Sequence, residues 1–274
     1  MSARGARPRW GQNFLIDANV ARTIVEWADV RGRDVVEIGP GRGALTGLLA
    51  ERARSLTLIE IDSKLAADLR HAYANAAGVR VIEADALRVD FLEVAPSPFD
   101  VVANLPYESG TAIVRRLIEL GSSPTQAVVM LQREVCQRMT AAPGSKLYGM
   151  LSVHMALNAD ISTGRLVGPS SFKPRPQVES QLLRIRPLAA PRWPCGSRDH
   201  FSELVRVAFS ERRKMLRNTL VRWLTQHIGT EAADRVLALA DVLPTQRPET
   251  VSPEAFARMA ALSYDMIHCD ARAS

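Results

Sequence analysis

Lysine is nearly missing from this sequence: only Lys64, Lys146, Lys173 and Lys214 stand among 35 basic residues, so 31 are arginine. Cysteine is almost as scarce. Cys136, Cys195 and Cys269 are odd in number, far apart and without a CxxC pair, which argues against a disulfide framework and a zinc site. His71, His154, His200, His227 and His268 are equally scattered and show no HxxxH or HxE spacing, so no metal is expected. No apolar run approaches the ~18–20 residues that span a bilayer. Arg4, Arg7 and Arg9 are not followed by the apolar stretch of a signal peptide. These absences set the expectation of a cytoplasmic protein with reduced thiols and no membrane or metal partner; a monomer is the expected state, which none of them fixes.

What remains is ordinary globular composition, 47% hydrophobic and 23% charged over 274 residues, with ample chain for one large domain and a smaller one. The 35 cations exceed 29 acids, for a net charge of +6. That excess suits a nucleic-acid partner and equally suits scattered, solvated arginines.

Along the chain, Asp17-Ala18-Asn19 can cap a helix through Val20, Ile24, Val25 and Ala28. Asp34–Ile38 is a short β-branched run ending in Gly39-Pro40-Gly41-Arg42-Gly43, after which Ala44, Leu45, Leu48 and Leu49 resume helical spacing. The pattern continues as strand Ser55–Ile61, helix Lys64–Ala76 and strands Arg80–Glu83 and Asp100–Ala103. Ala127–Leu131 reads as a buried strand, Arg133–Ala141 as a helix and Ser180–Ile185 as a late strand. Strands alternating with helices predict an α/β domain with a mainly parallel sheet covered on both faces. Pro187, Pro191, Pro194 and Gly196 then crowd a stretch without periodicity, which predicts a linker. Beyond it Phe201–Phe209, Lys214–His227, Glu231–Ala240 and Pro253–Ser263 read as helices. The expected division is therefore 1–190 for the α/β domain and 191–274 for a smaller all-helical one.

The glycine-rich turn lies between a predicted strand and a predicted helix, the setting a nucleotide-binding turn requires. Glu60 closes the next strand, 21 residues after Gly39, where a carboxylate can accept both hydroxyl protons of a ribose. Position 44 is Ala, so the GxGxxG of a pyrophosphate cradle is incomplete, and Glu37 before the turn would repel a phosphate. An acid there fits a ligand with a positive amino acid part, and S-adenosylmethionine carries both an ammonium and a sulfonium. Asp85, after the third strand, can accept from an adenine amine or simply cap a turn. The sum favours methyl transfer over hydride transfer.

Asn104-Leu105-Pro106-Tyr107 follows the fourth strand at its carboxyl end, where open α/β sheets place ligands. An exocyclic amine on a nucleobase is a poor nucleophile because its lone pair is delocalised into the ring. The Asn104 carbonyl and a backbone carbonyl can accept its two N–H bonds and aim that lone pair, Pro106 holding the turn and Tyr107 stacking on an extruded base. No general base is demanded, since positioning and desolvation can carry the rate.

With these residues in place, the chain resembles the KsgA family of ribosomal RNA adenine N6,N6-dimethyltransferases, from Gly11 to about Leu262. The resemblance rests on separated motifs in order: Gly11–Asp17, Val36–Gly41, Asn104–Tyr107, Leu131–Val135, Pro143–Gly149, Phe172–Ser180 and Phe209–Lys214. It implies a Rossmann-like S-adenosylmethionine-dependent catalytic domain followed by a helical RNA-binding domain. It implies that Asn13, Leu15, Gly39, Gly41, Glu60, Asp85 and Asn104 contact S-adenosylmethionine. It also implies that Asn104, Leu105, Pro106 and Tyr107 form the catalytic element, with Phe172 as the second side of a base clamp facing Tyr107. The substrate it implies is a pair of adjacent adenosines near the 3′ end of small-subunit rRNA, within pre-30S particles. One departure stands beside the target pocket: Glu108-Ser109-Gly110 replaces the family's common Asn-Ile-Ser.

Given an RNA substrate, Lys173 and Arg175 beside Phe172, together with Arg206, Arg212, Arg213, Lys214, Arg217 and Arg222, are the expected contacts to backbone phosphate, reading shape while the pocket chooses the base. Arg4, Arg7 and Arg9 would form a basic arm. Two other readings stay open. One is an Erm-type methyltransferase of large-subunit rRNA conferring macrolide resistance, and the other a non-catalytic RNA-binding assembly factor on the same fold. The Pro143–Gly149 segment and the long helical second domain favour the first reading over the Erm type.

Overall fold

The computed structural model describes residues 12–270. Arg4, Arg7, Arg9 and Gly11 lie outside the described residues. The elements run β1 (Phe14–Leu15), α1 (Ala18–Ala28), β2 (Asp34–Ile38), α2 (Thr46–Ala50), β3 (Ser55–Glu60), α3 (Ser63–Ala72), β4 (Val79–Glu83), α4 (Phe91–Val94), β5 (Phe99–Asn104) and α5 (Gly110–Glu119). There follow β6 (Pro124–Gln132), α6 (Arg133–Met139), α7 (Met150–Asn158), β7 (Ala159–Val167), β8 (Phe172–Lys173), β9 (Ser180–Pro187) and the helices α8 (Arg198–Ala208), α9 (Leu220–Ile228), α10 (Thr230–Leu239) and α11 (Pro253–Asp270).

The chain divides into two compact units. In the first, which ends with Asp160–Ala189, a seven-stranded sheet has the order β4-β3-β2-β5-β6-β9-β7. Neighbours from β4 to β6 are parallel, and β9 runs antiparallel to β6. All five residues of β2 are buried, as expected of a central parallel strand covered on both faces. Helix α1 buries Val20, Ala21, Ile24, Val25 and Ala28 and is capped by Asp17, whose carboxylate accepts from the Asn19 and Val20 amides. The sequence leads from β2 outward to β3 and β4, then returns to the other side of β2 at β5. This reversal opens a crevice at the carboxyl ends of β2 and β5.

The predicted sheet strands are present: Asp34–Ile38 coincides with β2, and the others differ at their ends by one to a few residues. Strand β7 has no counterpart in the sequence reading. Most of it is solvent-facing, with Asp160, Ser162, Thr163 and Arg165, so it carries little of the apolar alternation that marks a strand. The two-residue pair β1–β8 joins the amino-terminal segment to the late loop, with Phe14 opposite Lys173 and Leu15 opposite Phe172.

The second unit combines Gln137–Ala159 with the chain from Ala190 onward. The sequence reading assigned Gln137–Ala159 to the first domain. Its residues belong instead to the helical core, where Tyr148, Val153 and Leu157 cluster with Phe201, Leu204, Leu220 and Phe256. The Tyr148 hydroxyl donates to the Val251 carbonyl at 2.8 Å. The predicted helix Lys214–His227 is also interrupted. The Leu216 and Arg217 amides donate to the Gln246 and Pro244 carbonyls at 2.8 and 2.9 Å, so α9 begins only at Leu220.

Candidate active site

A cavity of about 310 Å³ fills the crevice, walled by the ends of β2, β3 and β5 and by the amino-terminal segment. Gly39 and Gly41 bend the turn after β2 through positive φ of 66° and 57°, a region open to glycine and strained for other residues. A side chain at Gly39 would project into open space that the turn leaves to the cavity, whereas one at Gly41 would meet the Phe14 ring at 3.0 Å. Glu60 fastens the turn: its Oε2 accepts from the Gly41 amide and its Oε1 from the Asp62 amide, both at 3.0 Å. A carboxylate has lone pairs beyond these two, so Glu60 can hold the turn and still accept from a diol.

Glu37 is wholly buried, and its Oε2 accepts from the Thr46 hydroxyl at 2.8 Å. Burial pushes its carboxyl up to about 8, the Thr46 bond opposing this and the nearby Glu60 charge adding to it. Asp85 lines the cavity and also caps its own turn, its Oδ1 accepting from the Leu87 amide at 2.8 Å.

On the opposite wall, the Asn104 amide nitrogen donates to the Asn13 carbonyl at 3.2 Å. This ties down the amide nitrogen of a residue that lines the cavity and leaves its Oδ1 without a donor in that bond. The Leu105 amide donates to the Met130 carbonyl and the Gly110 amide to the Pro106 carbonyl, so the Asn-Leu-Pro-Tyr turn is pinned at both ends. Tyr107 is half-buried on the cavity wall, its hydroxyl 2.9 Å from Ser180 Oγ, and burial raises its phenol above the ordinary range. Glu108 is an exposed acid at the rim. Gly110 follows from close packing: an added Cβ would lie 2.4 Å from Leu131 Cδ2.

The structure thus gathers Asn13, Leu15, Gly39, Gly41, Glu60, Asp85 and Asn104 through Tyr107 around one cavity. It does not bring Phe172 there as an open face. That ring is 3% exposed, in the core with Leu15 and Leu182, and is absent from the cavity lining. Lys173 and Arg175 are exposed next to it. In the second unit Arg213, Lys214, Arg217 and Arg222 are exposed. Arg206 is engaged by Glu203, its Nε 2.9 Å from Oε2, and Arg212 donates to the Lys146 carbonyl at 2.6 Å. Sequence reasoning missed Arg42, Ile61, Leu87 and Ser180. Ile61, just after β3, and Leu87, in the turn after β4, are apolar yet exposed beside the cavity, a signal visible only once the sheet is assembled.

A nucleoside-bearing ligand fits the glycine cradle, the Glu60 carboxylate and the Asp85 acceptor. A buried acid stands where a pyrophosphate cradle would offer donors, which suits a ligand without phosphate. These features define a Rossmann-like, S-adenosylmethionine-dependent methyltransferase. Ribosomal RNA adenine dimethylase is the family whose model matches residues 3–259, and the chain belongs to that family. It is 40% identical over 259 residues to the ribosomal RNA small subunit methyltransferase A of Geobacter sulfurreducens, covering 93% of this chain and 94% of that one. It is 46% identical over 222 residues to the protein of the same name from Leptothrix cholodnii, covering 80% of each. Among solved structures, a dimethyladenosine transferase from Plasmodium falciparum superposes with a TM-score of 0.75 at 25% identity, over 90% of this chain and 95% of that one. The 23S rRNA methyltransferase ErmE superposes with 0.68 at 28% identity, over 91% and 99%.

Proposed function

We propose that this protein dimethylates the N6 amines of two adjacent adenosines near the 3′ end of small-subunit rRNA, with S-adenosylmethionine as methyl donor, within pre-30S particles in the cytoplasm and acting as a monomer. The observation that carries the reading is the Asn104 side chain on the cavity wall beside Tyr107, its amide nitrogen tied to the Asn13 carbonyl at 3.2 Å.

Bound S-adenosylmethionine supplies a methyl group activated by its sulfonium. Glu60 would hold the ribose hydroxyls, Asp85 the adenine amine and Glu37 the ammonium end. Asn104 Oδ1 and the Leu105 or Pro106 carbonyl would accept the two N–H bonds of the target amine, drawing its nitrogen toward tetrahedral geometry with the lone pair aimed at the methyl. Tyr107 would stack on the flipped base and exclude water. Transfer would form the nitrogen–methyl bond as the carbon–sulfur bond breaks, with the surplus amine proton passing to solvent. Catalysis rests on orientation and needs no strong base at the nitrogen.

The likeness to ErmE favours keeping large-subunit rRNA as the second reading. Incubating immature 30S particles, and separately 23S rRNA, with labelled S-adenosylmethionine and mapping the label tests both. Label on adjacent adenosines of the small-subunit RNA is the expected result. Label in 23S rRNA would replace the reading with the Erm type, and label in neither would favour a non-catalytic assembly factor.

A further inference from the structure

Arg42 sits inside the glycine turn and lines the cavity, yet neither the turn geometry nor the proposed chemistry uses its side chain. Its guanidinium carbon lies 4.7 Å from the centroid of the Phe14 ring. The same ring stands 3.0 Å from where a Cβ on Gly41 would be, so Phe14 is held between the turn and Arg42. Stacking on an aromatic face orients a guanidinium while leaving its N–H edge free for in-plane hydrogen bonds. Among the described residues no ion pair engages that edge.

The charges around the cavity say what the edge is for. Glu37, Glu60, Asp85 and Glu108 all line it, and among the described residues Arg42 is the one cation in the lining. S-adenosylmethionine carries a single anionic group, the α-carboxylate of its amino acid part. Glu60, Asp85 and Glu108 repel that group, the protonated Glu37 offers it no charge, and among the described lining residues Arg42 alone can answer it with a forked pair of N–H donors.

We propose that Arg42, stacked on Phe14, is the positioning residue that receives the α-carboxylate of S-adenosylmethionine. The proposal deepens the functional reading above and rests on it. Arg42 touches no reacting atom: it fixes the end of the ligand farthest from the adenine and so sets affinity and discrimination.

The test is isothermal titration calorimetry of the full chain, unsubstituted and as Arg42→Leu and Arg42→Lys, with S-adenosylmethionine and with its decarboxylated analogue. The unsubstituted protein is expected to bind S-adenosylmethionine more tightly than the analogue. Arg42→Leu should lose about tenfold in affinity for S-adenosylmethionine, as for a charge-assisted pair at an open rim, and bind the analogue as before. Arg42→Lys should fall between, since it keeps the charge but not the fork. Arg42 is exposed, so an unchanged melting temperature in both variants is expected. Equal weakening toward both ligands would assign Arg42 a purely structural role on Phe14 and overturn the proposal. Unchanged binding of both, with weakened binding of rRNA, would give Arg42 to the nucleic acid and overturn it too. If the unsubstituted protein binds neither ligand, the cofactor reading itself fails; a protein that binds S-adenosylmethionine but shows no Arg42 discrimination sinks only this inference.

Discussion

Glu37 and Tyr107 show how single side chains are tuned by what surrounds them. A carboxyl raised to about 8 by burial binds a proton in the folded chain that the unfolded chain, at 4.5, has already lost. Between those values the native state holds more protons than the unfolded one, so stability falls as pH rises from about 5 to 8, by at most about 1.4 kcal/mol per pH unit for one group. Thermal unfolding of the ligand-free protein across pH 5–9 should show this decline, and Glu37→Gln should flatten it. A variant with the unsubstituted slope would remove Glu37 as its source. Tyr107→Ala should cut methyl transfer by about ten- to a hundredfold, the worth of one base-stacking interaction, while S-adenosylmethionine affinity stays within about twofold. Tyr107→Phe, which loses only the hydroxyl bond to Ser180, should retain most activity. Collapse of S-adenosylmethionine binding in the alanine variant would show that the ring supports the cofactor wall instead.

At the scale of elements, the departure Glu108-Ser109-Gly110 is a packing solution as much as a change in the pocket. Helix α5 begins against β6 so closely that Leu131 occupies the space a side chain at position 110 would need. Restoring the family's serine by Gly110→Ser should destabilise the first unit by about 1–3 kcal/mol through overpacking, read as a lowered unfolding midpoint. Adding Leu131→Ala should recover part of the loss, because the two changes share one space. Additive losses in the double variant would mean the clash is not the cause. The β1–β8 pair works at the same scale. Two residues on each side are too few for a propensity signal, yet they bring Asn13 and Phe14 to the cavity wall.

For the whole molecule, the net charge of +6 on 274 residues is sorted by partner. Many arginines are already used internally: Arg54 by Asp34, Arg116 by the Ala86 and Val89 carbonyls, Arg206 by Glu203 and Arg212 by the Ser145–Lys146 segment. Arg213, Lys214 and Arg217 remain exposed and are the better candidates for RNA phosphate. Replacing those three with alanine should lower the salt dependence of rRNA binding, the slope falling by about 1 for every phosphate that no longer has a cation beside it, with S-adenosylmethionine affinity unchanged. An unaltered slope in a binding titration over several salt concentrations would place the RNA-binding face elsewhere. No helix among the described residues is long and apolar enough to cross a membrane, in keeping with the absence of long apolar runs.

Sequence alone determined the parallel sheet, the glycine turn, Glu60 one strand later and the Asn-Leu-Pro-Tyr element, because these are local. Periodicity of two or 3.6 residues, glycine at positive φ and a residue at a strand end are each written in a few consecutive letters. Tertiary structure decided what depends on distant segments meeting. Gln137–Ala159 belongs to the helical unit because Tyr148 finds Val251, 103 residues away. Asn104 gains its orientation from Asn13 across 91 residues. Phe172 becomes core, and Arg42 becomes the one cation lining the cavity among the described residues, by the same rule. Burial and electrostatic surroundings are sums over neighbours that only the folded chain assembles.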